Sequence, residues 1–502
     1  MLCSIFLYIP EFHLRRLSSL LIVISLLLFA PDTIASTNVD INSITYDQLL
    51  RLEAEGIIRS GILTTKPLTR NEVARLILEA ERNSGGIRPH IRQIINSLKE
   101  RYRAQIEGAK YIKPVDTLYG KYVYSGSNNS SNSSKILNYN NNGDLYKKGP
   151  NFRFGFSSEV DLGFFSFHMN PELRYSGNDI DLIMKRIYGT LDFLGLELEL
   201  GKDSQWWGPG YHGAMLFSNN PEPMTMIKLD NPHPFLLPWI FKYLGLFKFT
   251  TFLTQLEADR AFPEPYFWGL RVNLKPVSYF EIGVERTFFL GGRGVDEDFR
   301  AWYKAMTFVN GYDVPNDGPD VPNDQHVGAD VKITLPFKWQ PFQLYGEIAA
   351  EDISRNITIK GGYLAGIYLP RIFNLDAIDL RGEYTRTRKI LYHHNTYRSG
   401  YTYKGRLIGH HLGSDAEDLF VGTSFYGTGT TKYSFYYDRE KKGLTTRNPE
   451  VSQEFVLALR QKVSERTDLS LKGGYEKVRD SGHIPGNDTD NIVFEISFDS
   501  SW

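Results

Sequence analysis

From about residue 151 to the end of the chain, apolar side chains recur at every second position, with charge or glycine between them. In LGLELELGK, Leu194, Leu196, Leu198 and Leu200 alternate with Gly195, Glu197, Glu199 and Gly201. In YFWGLRVNLKP, Trp268, Leu270, Val272 and Leu274 alternate with Gly269, Arg271 and Asn273. VGADVKITL and LSLKGGY repeat the pattern. A period of two belongs to the β-strand, whose successive side chains point to opposite faces. Such a chain can fold as a sandwich around an apolar core, or as a membrane barrel whose apolar face meets lipid. Alternation alone leaves both open.

Other features narrow the choice. After Ala35 there is no run of about 18 apolar residues, so no transmembrane helix is expected, whereas a barrel strand needs only about ten residues. Aromatic residues make up 14% of the chain, which suits a pleated surface. A net charge of −1 gives no bulk electrostatic case for nucleic acid or an anionic surface as a partner. At the start, Arg15 and Arg16 precede an apolar run from Leu17 to Ala30, and Thr33 and Ala35 supply small residues before Ser36. This reads as a signal peptide over residues 1–35. The only cysteine, Cys3, falls inside it, so the exported chain has no disulfide and no thiol chemistry.

The last twelve residues, NIVFEISFDSSW, put Ile492, Phe494, Ile496, Phe498 and Trp502 on one face and mostly polar residues on the other. A last strand that ends on an aromatic residue resembles the sorting signal of bacterial outer-membrane barrels. It implies recognition by the barrel assembly machinery through Trp502. The expected fold is therefore mainly β: a transmembrane antiparallel β-barrel, residues 115–502, in contact with outer-membrane lipid. About 385 residues at about 20–22 per strand and loop give on the order of 18 strands.

Residues 36–114 read instead as a helical bundle, a periplasmic cap or plug for the barrel. Thr69 and Glu72 have capping-box spacing, and Val73, Leu76, Ile77 and Ala80 then share one face. Ile91, Ile94, Ile95, Leu98 and Tyr102 repeat the pattern after Pro89, and an earlier helix ends near Gly56. Residues 125–143 are polar and of low complexity, and 311–325 carry the tandem repeat DVPNDGPDVPND. Both are expected as flexible loops.

One stretch stands apart. In GKDSQWWGPGYHGAMLFSNNPEPM, residues 201–224, a leucine-alternating strand runs into two tryptophans and a Gly-Pro-Gly break. Pro209 cannot continue a central strand, so the ladder ends there. Trp206 and Trp207 could stack on the C–H faces of a sugar, with Asp203, Gln205, His212 and Asn219 bonding its hydroxyls. The reading set ahead of that one is that the break is an internal plug or turn that packs the lumen.

This stretch resembles the signature of the Wzi-type capsule assembly proteins. GRLIGHHLGSDAEDLFVG, residues 405–422, looks like that family's second segment, and YDQLLRLEAEGIIRSG with KPLTRNEVARLILEA is similar to its helical region. The resemblance implies an outer-membrane barrel of about 18 strands with a helical bundle toward the periplasm. It implies a monomeric, non-enzymatic lectin that anchors or organises capsular polysaccharide or exopolysaccharide at the cell surface.

Catalysis finds no support in the residues. His393-His394 and His410-His411 are adjacent pairs, and strand neighbours face opposite ways, so neither pair makes a metal site alone. Glu197 with Glu199, and Glu257 with Asp259, set carboxylates on one strand face, but basic residues such as Arg271 and Arg286 make a lumen charge network the simpler account. There is no phosphate loop, cofactor fingerprint or recognisable triad, so no cofactor or metal is expected. The alternative function is a porin-like diffusion channel. PLTRNEVARLILEA also looks like a surface-layer-homology helix, a cell-wall-binding module in some barrel porins.

Overall fold

The computed structural model describes residues 35–128, 133–134, 137–295, 298–307, 323–351, 361–427, 431–464 and 466–502. The expected signal peptide, Ala35 apart, and the 311–325 loop up to residue 322 lie outside the described residues.

Among the described residues, 18 long strands close into one antiparallel barrel, each paired with its neighbours in sequence. The first six are β1 (Tyr111–Ser127), β2 (Gly149–Asp161), β3 (Phe165–Ser176), β4 (Asp179–Phe193), β5 (Leu196–Asp203) and β6 (Met224–Asp230). Then come β7 (Leu246–Gln255), β8 (Tyr266–Val277), β9 (Phe280–Leu290), β10 (Asn323–Leu335), β11 (Phe342–Glu351) and β12 (Gly362–Leu369). The last six are β13 (Ile378–Thr387), β14 (Ala416–Tyr426), β15 (Thr431–Lys442), β16 (Glu450–Lys462), β17 (Thr467–Arg479) and β18 (Thr489–Ser501). β18 returns to pair with β1, with Thr117 opposite Ser501 and Ser127 opposite Asn491. Among the described residues the closed barrel itself leaves no strand edge for another chain.

The wall is inside out relative to a soluble sandwich. Lys228, Glu199 and Arg271 are 1%, 0% and 0% exposed, while Ile227 and Val284 are 53% and 52% exposed. The charged positions of the alternation face a filled interior, and the apolar positions form the outer belt that lipid requires. Ile492, Phe494, Ile496 and Phe498 of β18 join that belt. Arg271 meets Glu285 at 2.5 Å and Asp330 at 2.7 Å, which is the expected lumen charge network. Arg286 is not part of it. Arg271 pairs across the ladder with Glu285, so the next residue points outward, where Arg286 donates to the carbonyl of Met306 in the helix Phe299–Thr307. Glu257 and Asp259 lie beyond the end of β7 and share no strand face.

Ahead of β1, α1 (Ile44–Ala54), α2 (Arg70–Arg82), α3 (Pro89–Arg101) and the short α4 (Arg103–Ile106) build a second core. Leu49, Leu52, Val73, Leu76, Ile77, Ile91, Ile95 and Leu98 fill it. The Thr69 side chain caps α2 by accepting from Glu72 N at 3.2 Å, as the spacing predicts. Gly56, at φ +74°, carries the chain out of α1. The bundle closes the barrel end that holds Trp502: Arg70 bridges to Asp116 of β1 and Glu159 of β2, and Arg101 to Asp468 of β17.

Glu53 of α1 is the deepest of these anchors. Its carboxylate accepts from Lys275 (2.9 Å), Lys332 (2.8 Å) and Gln343 (3.0 Å) of three wall strands. Burial alone would raise its pKa, but the two ammonium groups hold it down to about 2, against an ordinary value of 4.5. A folded-state pKa below the unfolded one stabilises the folded state above pH 4.5, and that stabilisation is lost as the pH falls toward 2. The denaturation midpoint of the helical signal in detergent is therefore expected to drop across that window. Glu53→Gln should lower the midpoint at neutral pH and flatten its dependence on acid.

Candidate functional site

At the end of the barrel away from Trp502 most connections are long, and two of them turn back inside. Residues 204–223 link β5 to β6, and residues 388–415 link β13 to β14. The first leaves the wall at the Gly-Pro-Gly break for a steric reason. A Cβ on Gly208, at φ +126°, would lie 2.3 Å from Glu347 Oε1, and one on Gly210 would lie 2.0 Å from the carbonyl of Gly213. A Cβ on Gly213 would meet the His410 ring at 2.2 Å. Glycine lets the backbone sit directly on wall carboxylates. Glu347 accepts from the amides of Gly210 (2.7 Å) and Met215 (2.8 Å), and Glu383 from those of Tyr211 (2.6 Å) and His212 (2.8 Å). Buried carboxylates and buried loop amides thus satisfy one another.

The Trp pair lies where the plug meets the bundle. Trp206 and Trp207 pair antiparallel with Lys66 and Thr65. Trp207 is fully buried and packs on Phe217 and Phe252 at 5.5 Å each. Trp206, also buried, carries Lys66 Nζ over its ring at 5.3 Å. Burial lowers the pKa of this Lys66 to about 8, although Asp47 opposes the shift.

The other candidate residues are buried as well. Asp203 pairs with Arg186 at 2.6 Å and accepts from Asn38 at 2.9 Å. Asn219 donates to Asn140 O, Asn42 Oδ1 and Asn142 Oδ1. Gln205 is enclosed beside Trp206 in sequence, and His212 Nε2 lies 3.1 Å from Asp438 Oδ2. The six residues are spread along the seams of the plug with the bundle and the wall, and all are at most 5% exposed. The low-complexity stretch contributes too. Asn138, Asn142 and Asp144 are buried, and Asp144 pairs with Arg153 at 2.8 Å.

The second segment locks onto the first. Ser218 N donates to Ile408 O at 2.8 Å, Ser218 Oγ to Gly409 O at 2.7 Å, and Asn220 Nδ2 to Leu407 O at 3.0 Å. His410 and His411 sit in a turn rather than a strand, so strand alternation does not separate them. Their rings stack at 4.6 Å, both inside the lumen. Burial pushes both imidazoles below the ordinary histidine value. Burial also acts on His212, but Asp438 beside it outweighs that and leaves its pKa raised. Glu347 and Glu383 escaped the sequence reading. Alternation marks them as lumen-facing, but nothing local announces that a loop more than a hundred residues away will sit on them.

A closed antiparallel barrel with a lipid-facing apolar belt and a lumen plugged from both ends is an outer-membrane β-barrel of the occluded kind. The family model for the capsule assembly protein Wzi matches residues 121–491, and the chain belongs to that family. Both lumen segments fall inside the match, and the helical bundle precedes it. An uncharacterised 55.8 kDa protein in the cps region of Klebsiella pneumoniae is 26% identical over 350 residues. That alignment spans 68% of this chain and 64% of the relative, just under two thirds of its length. Among solved structures, Wzi of Escherichia coli, described as an outer-membrane carbohydrate-binding β-barrel involved in group 1 capsule assembly, superposes with a TM-score of 0.72. It is 18% identical, with 93% of this chain and 100% of that one covered.

Trp207→Ala should leave a cavity costing about 3–5 kcal/mol. Gly210→Ala has no room to relax against the Gly213 carbonyl. Both variants are expected to lose the folded, heat-modifiable band on detergent gels at a lower temperature than the native chain.

Proposed function

We propose that the protein is a non-enzymatic lectin of the outer membrane that holds capsular polysaccharide or exopolysaccharide at the cell surface. The observation that carries this reading is the closed lumen: the two segments that mark the family are spent on filling the barrel, which leaves binding rather than passage as the work of its mouth. Membership of the capsule assembly family and the carbohydrate binding described for the E. coli barrel support it.

In this reading the short-turn end, with Trp502 and the helical bundle, faces the periplasm, because outer-membrane barrels keep short turns there and long loops outside. The polymer then meets the long-loop mouth. There Tyr403, Lys404, Glu222 and Lys202 form a partly exposed rim, with Lys404 2.8 Å and Lys202 3.6 Å from Glu222. Lys404 Nζ lies over the Tyr403 ring at 5.5 Å. An aromatic face beside alternating charges suits a sugar ring and its hydroxyls or acidic substituents. Asp203, Gln205, Trp206, Trp207, His212 and Asn219 serve the same function from below, by holding the plug on which this rim rests. The barrel works as a monomer, its outer belt in lipid and its last strand read by the assembly machinery.

Deleting the gene is expected to move surface polysaccharide from the cell-bound fraction into the medium at unchanged total. Tyr403→Ala with Lys404→Ala should reproduce part of that shift without loss of folded barrel. An unchanged distribution, together with steady conductance of the purified chain in planar bilayers, would overturn the lectin reading in favour of the channel.

A further inference from the structure

We propose that His212, His411, Asp418 and Asp438 form a four-coordinate site for a divalent transition-metal ion, with zinc as the best match to the ligand set. One atom from each residue lies within 4.8 Å of all the others. The His212 Nε2 atom is 3.1 Å from Asp438 Oδ2 and 3.8 Å from Asp418 Oδ2. Tetrahedral zinc with arms of about 2.0–2.2 Å needs ligand atoms about 3.3–3.6 Å apart, so small side-chain movements complete the sphere. All four side chains are at most 5% exposed.

Charge is the second argument. Asp438 lies directly across the ladder from Glu454, Glu454 from Glu476, and Asp418 from Glu440. Like charges in that relation repel. Other lumen carboxylates are balanced by a cation, as Glu199 by Lys228 at 2.8 Å, or by backbone amides, as Glu347 is. Here Glu440 has Lys442, but among the described residues Asp418, Asp438, Glu454 and Glu476 have no lysine or arginine within ion-pair distance. Asp418 Oδ1, Asp438 Oδ1 and His411 Nδ1 are buried without a hydrogen-bond partner among the described residues, while His411 Nε2 faces Glu440. Buried, unpartnered oxygens and imidazoles aimed at one another are what a metal ion resolves.

The surroundings fit as well. Phe420 stacks on His212 at 4.2 Å and Tyr139 on His411 at 4.2 Å, fixing both rings. Glu440 Oε1 lies 3.2 Å from His411 Nε2, the kind of carboxylate partner that orients a ligating imidazole. Each histidine comes from a different lumen segment and both aspartates come from the wall, so the ion would tie the two segments to β14 and β15. The site does not depend on the glycan reading.

The test uses the untagged full-length barrel in detergent, stripped with a chelator, dialysed against zinc chloride and analysed for bound metal. About one zinc per folded chain is expected. It should be lost in His411→Gln and in Asp418→Asn, and kept in His483→Gln, which alters an exposed turn. Cobalt should give the intense visible bands of a tetrahedral site in the native chain, so the result stands even if the variants do not fold. Native folded barrel that retains no stoichiometric zinc and gives no tetrahedral cobalt spectrum would overturn the proposal, leaving shared protons to balance the carboxylates. Zinc retained in both variants would overturn it too.

Discussion

Everything in this molecule follows from having its charges on the inside. Lipid takes the apolar face of each strand, so the polar face of all 18 strands points into a lumen about as wide as a small domain. Ions buried that way are costly unless they are paired and bonded. The protein meets the demand with polar chain. Asn38, Glu53, Thr64 and Thr65 come from the N-terminal side, and loop amides come from the other end. The bundle and the plug are thus the other half of the wall's hydrogen-bond inventory.

The glycine-rich break answers the same demand at close range. A carboxylate such as Glu347 can accept two amides only if the backbone reaches it, and the Cβ positions at Gly208 and Gly210 show how little room the approach leaves. The tryptophans that precede the break then fill the volume the retreating chain would leave empty. Polar capture and apolar filling occur within ten residues of each other, which accounts for the density of unusual residues between 203 and 220.

The charge balance is uneven around the wall. The β5 to β10 side pairs Glu199 with Lys228 and Arg271 with Glu285 and Asp330. The β14 to β17 side sets carboxylate against carboxylate across the ladder and answers with imidazoles. A cation bound at that side of the lumen would even the balance out.

Much of the architecture was legible in the residues because period-two alternation, capping spacing and an aromatic terminus are local signals. Strand after strand could be read that way, as could the Thr69 cap, the ladder break at Pro209 and the strand count. Local signals fail when a side chain's role depends on a distant partner. Arg286 follows the alternation outward, yet only the helix beside it shows where its charge is satisfied. His410 and His411 read as loop or lumen histidines, yet only the turn that carries them shows both rings stacked together inside the lumen. Sequence by itself determined a lipid-facing barrel with a polar interior, because alternation set the two faces of each strand and the amphipathic last strand ending on Trp502 chose the barrel over a sandwich. Only the tertiary structure decided that the tryptophans are buried and that His212 meets Asp438 across more than two hundred residues, because ring closure brings opposite walls and both lumen segments to one point.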